Sequence, residues 1–367
     1  MNDDDKQYMQ RALDLAAIAQ GKTSPNPLVG AVIVKDGRIV GEGYHHQAGT
    51  PHAEVHALAQ AGEQARGATI YVSLEPCSHY GCTPPCADAL IEAGIKKAVV
   101  AVLDPNPLVA GRGLQKLKDA GIEVELGILE EEAQKLNQPF FKYISTHRPL
   151  VAIKTAMTLD GKIAAVSGDS RWITAEDARA YVHQLRGMYD AVLVGIGTVL
   201  QDDPQLNVRL ENGDYCNPAR VVLDSSLQIP LHSHIVAGSG DQRSIIFCDH
   251  DASLDRQGRL EEAGCEVFRV NRAEGGLALN EVLDILGNLK LCSLLVEGGG
   301  AVNASLLENK LVDKVYWFIA PKIIGGRTAP TPVGGKGLRF MEEAIVLETV
   351  ELKRFSRDIL ITGNIKK

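Results

Sequence analysis

The residues best suited to chemistry are in Thr50-Pro51-His52-Ala53-Glu54 and in Glu75-Pro76-Cys77 through Thr83-Pro84-Pro85-Cys86. One imidazole and two thiolates are three ligands for a tetrahedral Zn²⁺, which leaves the fourth position open to water, as a catalytic site requires and a closed structural site does not. A cation so placed lowers the pKa of bound water toward neutrality and supplies a hydroxide nucleophile. Glu54 is not needed as a ligand and is free to carry protons. The H-x-E and P-C…C pattern matches the signature of zinc-dependent nucleobase deaminases. That signature normally closes in a tight C-x-x-C, whereas here eight residues separate Cys77 from Cys86, with Cys82 between them. Spacing alone leaves Cys82 open as a ligand, and Cys86 is preferred because it stands at a helix start.

Such ligands need firm elements beneath them. Thr50 with Pro51, and Thr83 with Pro84, each read as an N-cap followed by Pro at the first helical position. Helix N-termini also favour the thiolate that metal binding needs. Before them, Met9, Leu13, Ala16 and Ala17 follow helical spacing up to Gly21. A Pro-rich loop, Ser24 to Leu28, then feeds a buried strand, and Asp36-Gly37 turns a hairpin. Asn26, between two prolines, is placed either to meet a base edge or to bond its own backbone. Strands are expected at 68–73, 98–103 and 123–126, and helices at 86–93, 114–120 and 130–137. This is one α/β domain whose site lies where helix N-termini meet strand ends.

The stretch 140–149 reads as the domain boundary, so two domains are expected, 1–146 and 147–367. The second half repeats strand and helix, with a helix at 177–188 and short β-branched runs at 191–195, 221–223, 244–247, 267–270, 293–297 and 314–319. That alternation predicts a mostly parallel, doubly wound sheet. Gly195-Ile196-Gly197 begins a dinucleotide fingerprint without completing it. Gly298-Gly299-Gly300, between a strand and a helix predicted at 301–308, offers either bare N–H groups to a phosphate or a plain turn. Trp172 suits stacking on a flat ring or core anchoring. Arg186 and Arg209 suit bidentate phosphate binding or simple surface exposure.

Composition narrows the partners. The chain of 367 residues carries a formal net charge of −8, and residues 1–146 hold 13 Lys and Arg against 18 Asp and Glu. An enzyme taking its base from nucleic acid would be expected to show a basic face, so a small-molecule substrate is favoured. No apolar run approaches a membrane span and the first residues are acidic, so a cytoplasmic protein is expected. Cys216, Cys248, Cys265 and Cys292 show no framework spacing, and disulfides are not expected.

Together these motifs resemble the bifunctional riboflavin-biosynthesis enzymes, which join a diaminohydroxyphosphoribosylaminopyrimidine deaminase to a 5-amino-6-(5-phosphoribosylamino)uracil reductase. Asn26-Pro27-Leu28-Val29-Gly30-Ala31-Val32, His52-Ala53-Glu54 and the Pro76 to Cys86 run are similar to the deaminase half. The reductase half is similar through Lys154 to Lys162, Ser170-Arg171-Trp172-Ile173-Thr174, Gly195 to Thr198 with Asp202-Asp203-Pro204, and Glu297 to Gly300. The resemblance implies an α/β fold, a cytidine-deaminase-like domain followed by a dihydrofolate-reductase-like one. It implies zinc on His52, Cys77 and Cys86, Glu54 as the catalytic proton carrier, and Cys82 off the metal at a position where relatives often carry Arg. It places NADPH against Lys154, Trp172, Thr198, Asp202, Gly299 and Gly300, with Lys154 and the arginines leaving room for a 2′-phosphate. The phosphorylated pyrimidine substrate would meet Asn26, Ser170, Arg186, Leu206, Arg209 and Glu297. The implied reactions are zinc-hydroxide deamination of 2,5-diamino-6-(5-phosphoribosylamino)pyrimidin-4(3H)-one, then NADPH reduction of the ribosyl group to ribityl, with no nucleic-acid or membrane partner and a homo-oligomeric state. The rivals are a nucleic-acid base deaminase with an appended binding domain and a zinc-stabilised scaffold without catalysis.

Overall fold

The computed structural model describes residues 3–78, 85–106, 109–210 and 215–366, which form two compact units, residues 1–147 and 148–367.

The first unit runs α1 (Asp3–Ala17), β1 (Gly30–Lys35), β2 (Arg38–Tyr44), α2 (Ala53–Ala61), β3 (Thr69–Val72), α3 (Cys86–Glu92), β4 (Lys97–Val100), α4 (Arg112–Asp119), β5 (Glu123–Leu126), α5 (Glu130–Leu136) and α6 (Gln138–Thr146). Its five-stranded sheet has the order β2-β1-β3-β4-β5. The hairpin and the β1–β3 pair are antiparallel, while β3, β4 and β5 are parallel. Asp36 and Gly37, at φ 50° and 73°, make the hairpin turn. Alternation along β1 sends Ala31 and Ile33 to the face covered by α2, α3 and α4, and Val32 and Val34 to the face covered by α1, α5 and α6. Both faces are therefore dry. On the site side α2 lies almost on the backbone of β2, since a Cβ added to Gly43 would come within 2.4 Å of the Ala53 carbonyl oxygen. That approach fixes the height of His52 and Glu54 over the sheet.

Two local expectations are corrected here. His52 itself, not Thr50, is the N-cap residue of α2, and the Thr50 hydroxyl is turned to the Gln47 carbonyl at 2.7 Å. The apolar run Phe140-Phe141 is part of helix α6, with Phe140 buried in the first core, so the link to the second unit is only the turn at His147-Arg148. Thr83, Pro84 and Cys82 lie outside the described residues, and α3 begins at Cys86 after Pro85.

The second unit runs β6 (Leu150–Thr158), α7 (Glu176–Met188), β7 (Ala191–Gly195), α8 (Ile196–Asp202), β8 (Ala219–Leu223), α9 (His234–Ala237), β9 (Ser244–Asp249), α10 (Leu254–Glu262), β10 (Glu266–Val270), β11 (Arg272–Ala273), β12 (Gly276–Leu277), α11 (Leu279–Asn288), β13 (Ser293–Val296), α12 (Gly300–Glu308), β14 (Lys314–Ala320), β15 (Leu347–Phe355) and β16 (Asp358–Ile365). Its nine-stranded sheet has the order β10-β9-β8-β7-β13-β6-β14-β16-β15. The seven strands from β10 to β14 are parallel, with α7, α9 and α10 packed on one face and α11 and α12 on the other. The last two strands, β15 and β16, form an antiparallel hairpin added to the edge. Neither was among the expected strands: β15 is exposed along nearly its whole length and its sequence has no apolar run to read, while the run Ile359-Leu360-Ile361 of β16 was missed. Since β6 lies between β13 and β14, the progress of the chain across the sheet changes side beside it, and open α/β sheets bind ligands at such a point, here the carboxyl ends of β6, β13 and β7.

Candidate active sites

His52 caps α2, Glu54 sits in its first turn, Cys77 follows β3, and Cys86 opens α3. The His52 Nδ1, Cys77 Sγ and Cys86 Sγ atoms all lie within 4.8 Å of one another. His52 Nδ1 is 3.0 Å from the Cys86 sulfur and 3.6 Å from that of Cys77. Tetrahedral zinc with ordinary Zn–S and Zn–N bonds puts such atoms roughly 3.5–3.8 Å apart, so the donor set fits the ion. Among the described residues the cluster has three members, which is the count of an open site.

The electrostatics agree. The Cys77 thiol is lowered to about 4, first by the hydrogen bond from Cys86 and also by His52, although burial opposes this. Cys86 is pushed up by donating that bond and by burial. The pair therefore holds one negative charge readily, and the second thiolate calls for a cation. Glu54 is buried, and desolvation raises its pKa, with the nearby Cys77 charge adding to the effect. A carboxyl with a raised pKa beside a ligand set is suited to taking and returning protons.

A second tier holds this site. Asn26 Nδ2 donates to His45 Nε2 at 3.1 Å, so His45 carries its proton on Nδ1 and donates to the Pro51 carbonyl at 3.2 Å. The buried His45 ring also meets His52 edge-on, with centroids 5.4 Å apart. Asn26 is thus brought to the rim of the metal cluster, with Oδ1 left without a partner among the described residues. His45 was missed in the sequence, where the signal was its position just after a strand and seven residues before His52.

In the second unit the best-defined group is an ion triad. Glu297, one residue past β13, accepts from Arg186 Nε at 2.6 Å and Nη2 at 3.1 Å, and from Lys154 Nζ at 3.1 Å. Burial alone would raise the Glu297 carboxyl, but the Arg186 and Lys154 charges outweigh it and hold the group well below the usual carboxylate range. Lys154 is therefore engaged by Glu297. Arg186 Nη1 also donates to the Asn207 carbonyl, and the exposed Arg209 reaches the Asn207 side chain at 2.7 Å. His183 Nδ1 lies 3.2 Å from both Asn207 O and Arg209 N, which ties the two arginines to one loop. Leu206 turns its side chain into the core, and its carbonyl accepts from Gln242. Only its backbone N–H remains for a ligand.

The loop with Ser170 and Trp172 is joined to α8, which carries Thr198 and Asp202. Gln201 donates to the Gly168 carbonyl at 2.8 Å, and Arg171 to that of Asp202 at 3.3 Å. The Trp172 ring is 62 % exposed, with the Arg179 guanidinium 4.4 Å from its centroid, and the Trp172 carbonyl accepts from Lys322. An exposed ring is available for stacking, and core anchoring is ruled out. Gly299 is the N-cap of α12, which has no side-chain cap and no acidic residue in its first turn, and a Cβ there would meet nothing. A Cβ on Gly300 would instead come within 2.5 Å of the Thr331 carbonyl oxygen, so that glycine serves close packing by the segment after β14. An uncapped helix N-terminus with open space at its cap fits a pyrophosphate.

Comparisons with known proteins match both halves of the chain. Residues 2–102 match the cytidine and deoxycytidylate deaminase zinc-binding region, and residues 149–361 match the RibD C-terminal domain. The chain is 47% identical over 357 residues to the riboflavin biosynthesis protein RibD of Actinobacillus pleuropneumoniae, covering 97% of this chain and 94% of that one. It is 45% identical to the Aquifex aeolicus protein of the same description, covering 97% of each. It superposes on Acinetobacter baumannii RibD with a TM-score of 0.89 at 40% identity, and on a Thermotoga maritima diaminohydroxyphosphoribosylaminopyrimidine deaminase/5-amino-6-(5-phosphoribosylamino)uracil reductase with 0.86 at 38%, covering 99% of each chain in both cases. The fold is thus α/β, a cytidine-deaminase-like domain followed by a dihydrofolate-reductase-like one. With both halves matched along nearly its whole length, the chain belongs to the RibD family, bifunctional enzymes of riboflavin biosynthesis with a zinc-dependent deaminase and an NADPH-dependent reductase.

Proposed function

We propose that residues 1–146 deaminate 2,5-diamino-6-(5-phosphoribosylamino)pyrimidin-4(3H)-one and that residues 147–367 then reduce its ribosyl group to ribityl. His52, Cys77 and Cys86 would hold a zinc ion, which would lower the pKa of a water at the open position toward neutrality. Asn26, steadied by His45, hydrogen-bonds the edge of the pyrimidine. Glu54 relays the two water protons, one to the adjacent ring nitrogen and one to the departing amine, so that N=C–NH₂ and water become HN–C=O and ammonia. Its burial keeps bulk water from competing for those protons.

For the second step, Lys154, Trp172, Thr198, Asp202, Gly299 and Gly300 receive NADPH, which supplies a hydride to C1′ of the ribosyl group. Gly299 offers backbone N–H, Trp172 an open ring face, and Gly300 acts by letting the helix terminus pack. Ser170, Arg186, Leu206, Arg209 and Glu297 orient the substrate. Arg209 is the exposed cation for its phosphate, Leu206 contributes its N–H, and Glu297 is held anionic by Arg186 and Lys154 to accept from sugar hydroxyls. The protein is read as cytoplasmic and homo-oligomeric, and its acidic first half argues against a nucleic-acid partner.

The observation that carries this reading is the cluster of three ligand atoms within 4.8 Å with a buried carboxyl beside it. The test supplies the diaminopyrimidine and its deaminated product separately, and follows ammonia release and loss of NADPH absorbance. Glu54→Ala should abolish the first and spare the second. Loss of both together would show that the two activities are not independent.

A further inference from the structure

Glu75 has no role in the steps above, yet it is only 4 % exposed, immediately before the Pro76-Cys77 peptide. Its carboxylate accepts four backbone N–H groups. Oε2 receives those of Asp104 at 3.3 Å and Gly111 at 2.9 Å, and Oε1 those of Gly113 at 2.9 Å and Leu114 at 3.3 Å. The side chain thus fills the N-terminus of α4, satisfying donors that the helix cannot satisfy itself. The first turn of α4 then presses on the ligand's own backbone, since a Cβ on Gly113 would come within 2.0 Å of the Pro76 carbonyl oxygen. From the other side, Ala87 N donates to the Cys77 carbonyl at 3.1 Å, and Cys86 N to the Cys77 sulfur at 3.3 Å. Lys116 of α4 pairs with Asp88 of α3 at 2.5 Å, joining the two supports.

We propose that Glu75, with Gly113, is the positioning group for the Cys77 ligand. Zinc retention is then set partly by a carboxylate that touches neither metal nor substrate. The inference rests on reading His52, Cys77 and Cys86 as the ligands. A ligand whose backbone is clamped loses little freedom on binding, and outer partners of metal ligands typically contribute about 10–100-fold in affinity.

The experiment measures zinc release from the full-length protein to excess EDTA, together with the thiolate-to-cobalt absorption of the Co²⁺-substituted form. Glu75→Gln keeps the shape but turns an NH₂ toward N–H donors, and should release zinc at least about tenfold faster with a weakened cobalt band. Gly113→Ala should act in the same direction by displacing the Pro76 carbonyl. NADPH oxidation with the deaminated pyrimidine should stay at the parent level in both. Parent-like zinc release and cobalt spectra in both variants, even with lowered thermal stability, would overturn the inference, because a merely structural anchor moves stability alone. Should neither variant fold, hydrogen exchange in the unmutated protein decides. Zinc removal should speed exchange of the amides at 111–114, since coupling is reciprocal, and unchanged exchange counts against the role. Unmutated protein that takes up no zinc would overturn the ligand reading itself.

Discussion

In the first unit the candidate residues are four side chains, with His52, Cys77 and Cys86 within 4.8 Å of one another and Glu54 interacting with all three, at the starts of two helices and after one strand. In the second the candidate residues are spread over strand ends, an uncapped helix terminus, an exposed ring and a loop of arginines, with Glu297 bonded to both Arg186 and Lys154. The difference follows from what each site binds. A metal ion is small and is recognised by the donor types of side chains, whereas a dinucleotide and a phosphorylated sugar extend along a crevice and are recognised largely by backbone groups and charge placement. A metal site therefore fails at single residues, while a cofactor crevice degrades by degrees.

The contrast can be broken most sharply at Glu54. Glu54→Gln should cut ammonia release by about 10²–10⁴-fold while NADPH oxidation with the deaminated substrate is unchanged, as steady-state assays of both reactions will read. Chelation of zinc should produce the same split, reversed by added Zn²⁺. A fall in NADPH oxidation on metal removal would show that the second site depends on the first.

Next is the triad. Arg186→Met should destabilise the second unit by about 3–5 kcal/mol, because it leaves a buried carboxylate with Lys154 as its remaining partner. Both tryptophans, Trp172 and Trp317, lie in residues 148–367, so denaturant unfolding followed by tryptophan fluorescence isolates this unit, and ammonia release should persist. The triad also sets a pH dependence. Glu297 is held below its ordinary value of 4.5 in the folded chain, so its contribution is complete above that pH and is lost as the pH falls below it. Thermal unfolding of the second unit should weaken on acidification from that point, and Glu297→Gln should flatten this part of the curve.

The smallest effect is expected from Asn137→Ala. The Asn137 side chain is buried and bonds both the N–H and the carbonyl of Leu28 at 2.8 Å, which fixes the loop that carries Asn26. Its loss should cost about 1–3 kcal/mol in the first unit, seen as a lower melting temperature by circular dichroism, with a raised KM for deamination.

The two units were unequally legible before folding. The meeting of His52, Cys77 and Cys86 could be anticipated because imidazole and thiolate are uncommon donors whose clustering has few other uses. The alternating strands and helices of both units followed from apolar periodicity. Hidden instead were Glu75 and His45, whose partners are backbone atoms or a residue far along the chain, and the engagement of Lys154 by Glu297, which are 143 residues apart. The edge strand β15 was hidden for a different reason, since an exposed strand needs no apolar pattern, whereas β16 carries a readable run, Ile359-Leu360-Ile361, that was missed.

By itself, then, the sequence pointed to the His52, Cys77 and Cys86 donor set and to Glu54 as candidates, and it determined the α/β alternation and the two-domain plan, all of which depend on residue type or on neighbours close along the chain. Only the tertiary structure decided that His52 rather than Thr50 caps its helix, that Leu206 buries its side chain in the core, that Gly300 serves packing, and that a buried carboxylate before Cys77 grips the start of α4. These depend on distances between segments remote in sequence, set by how helices settle on a sheet, and no local pattern carries that information.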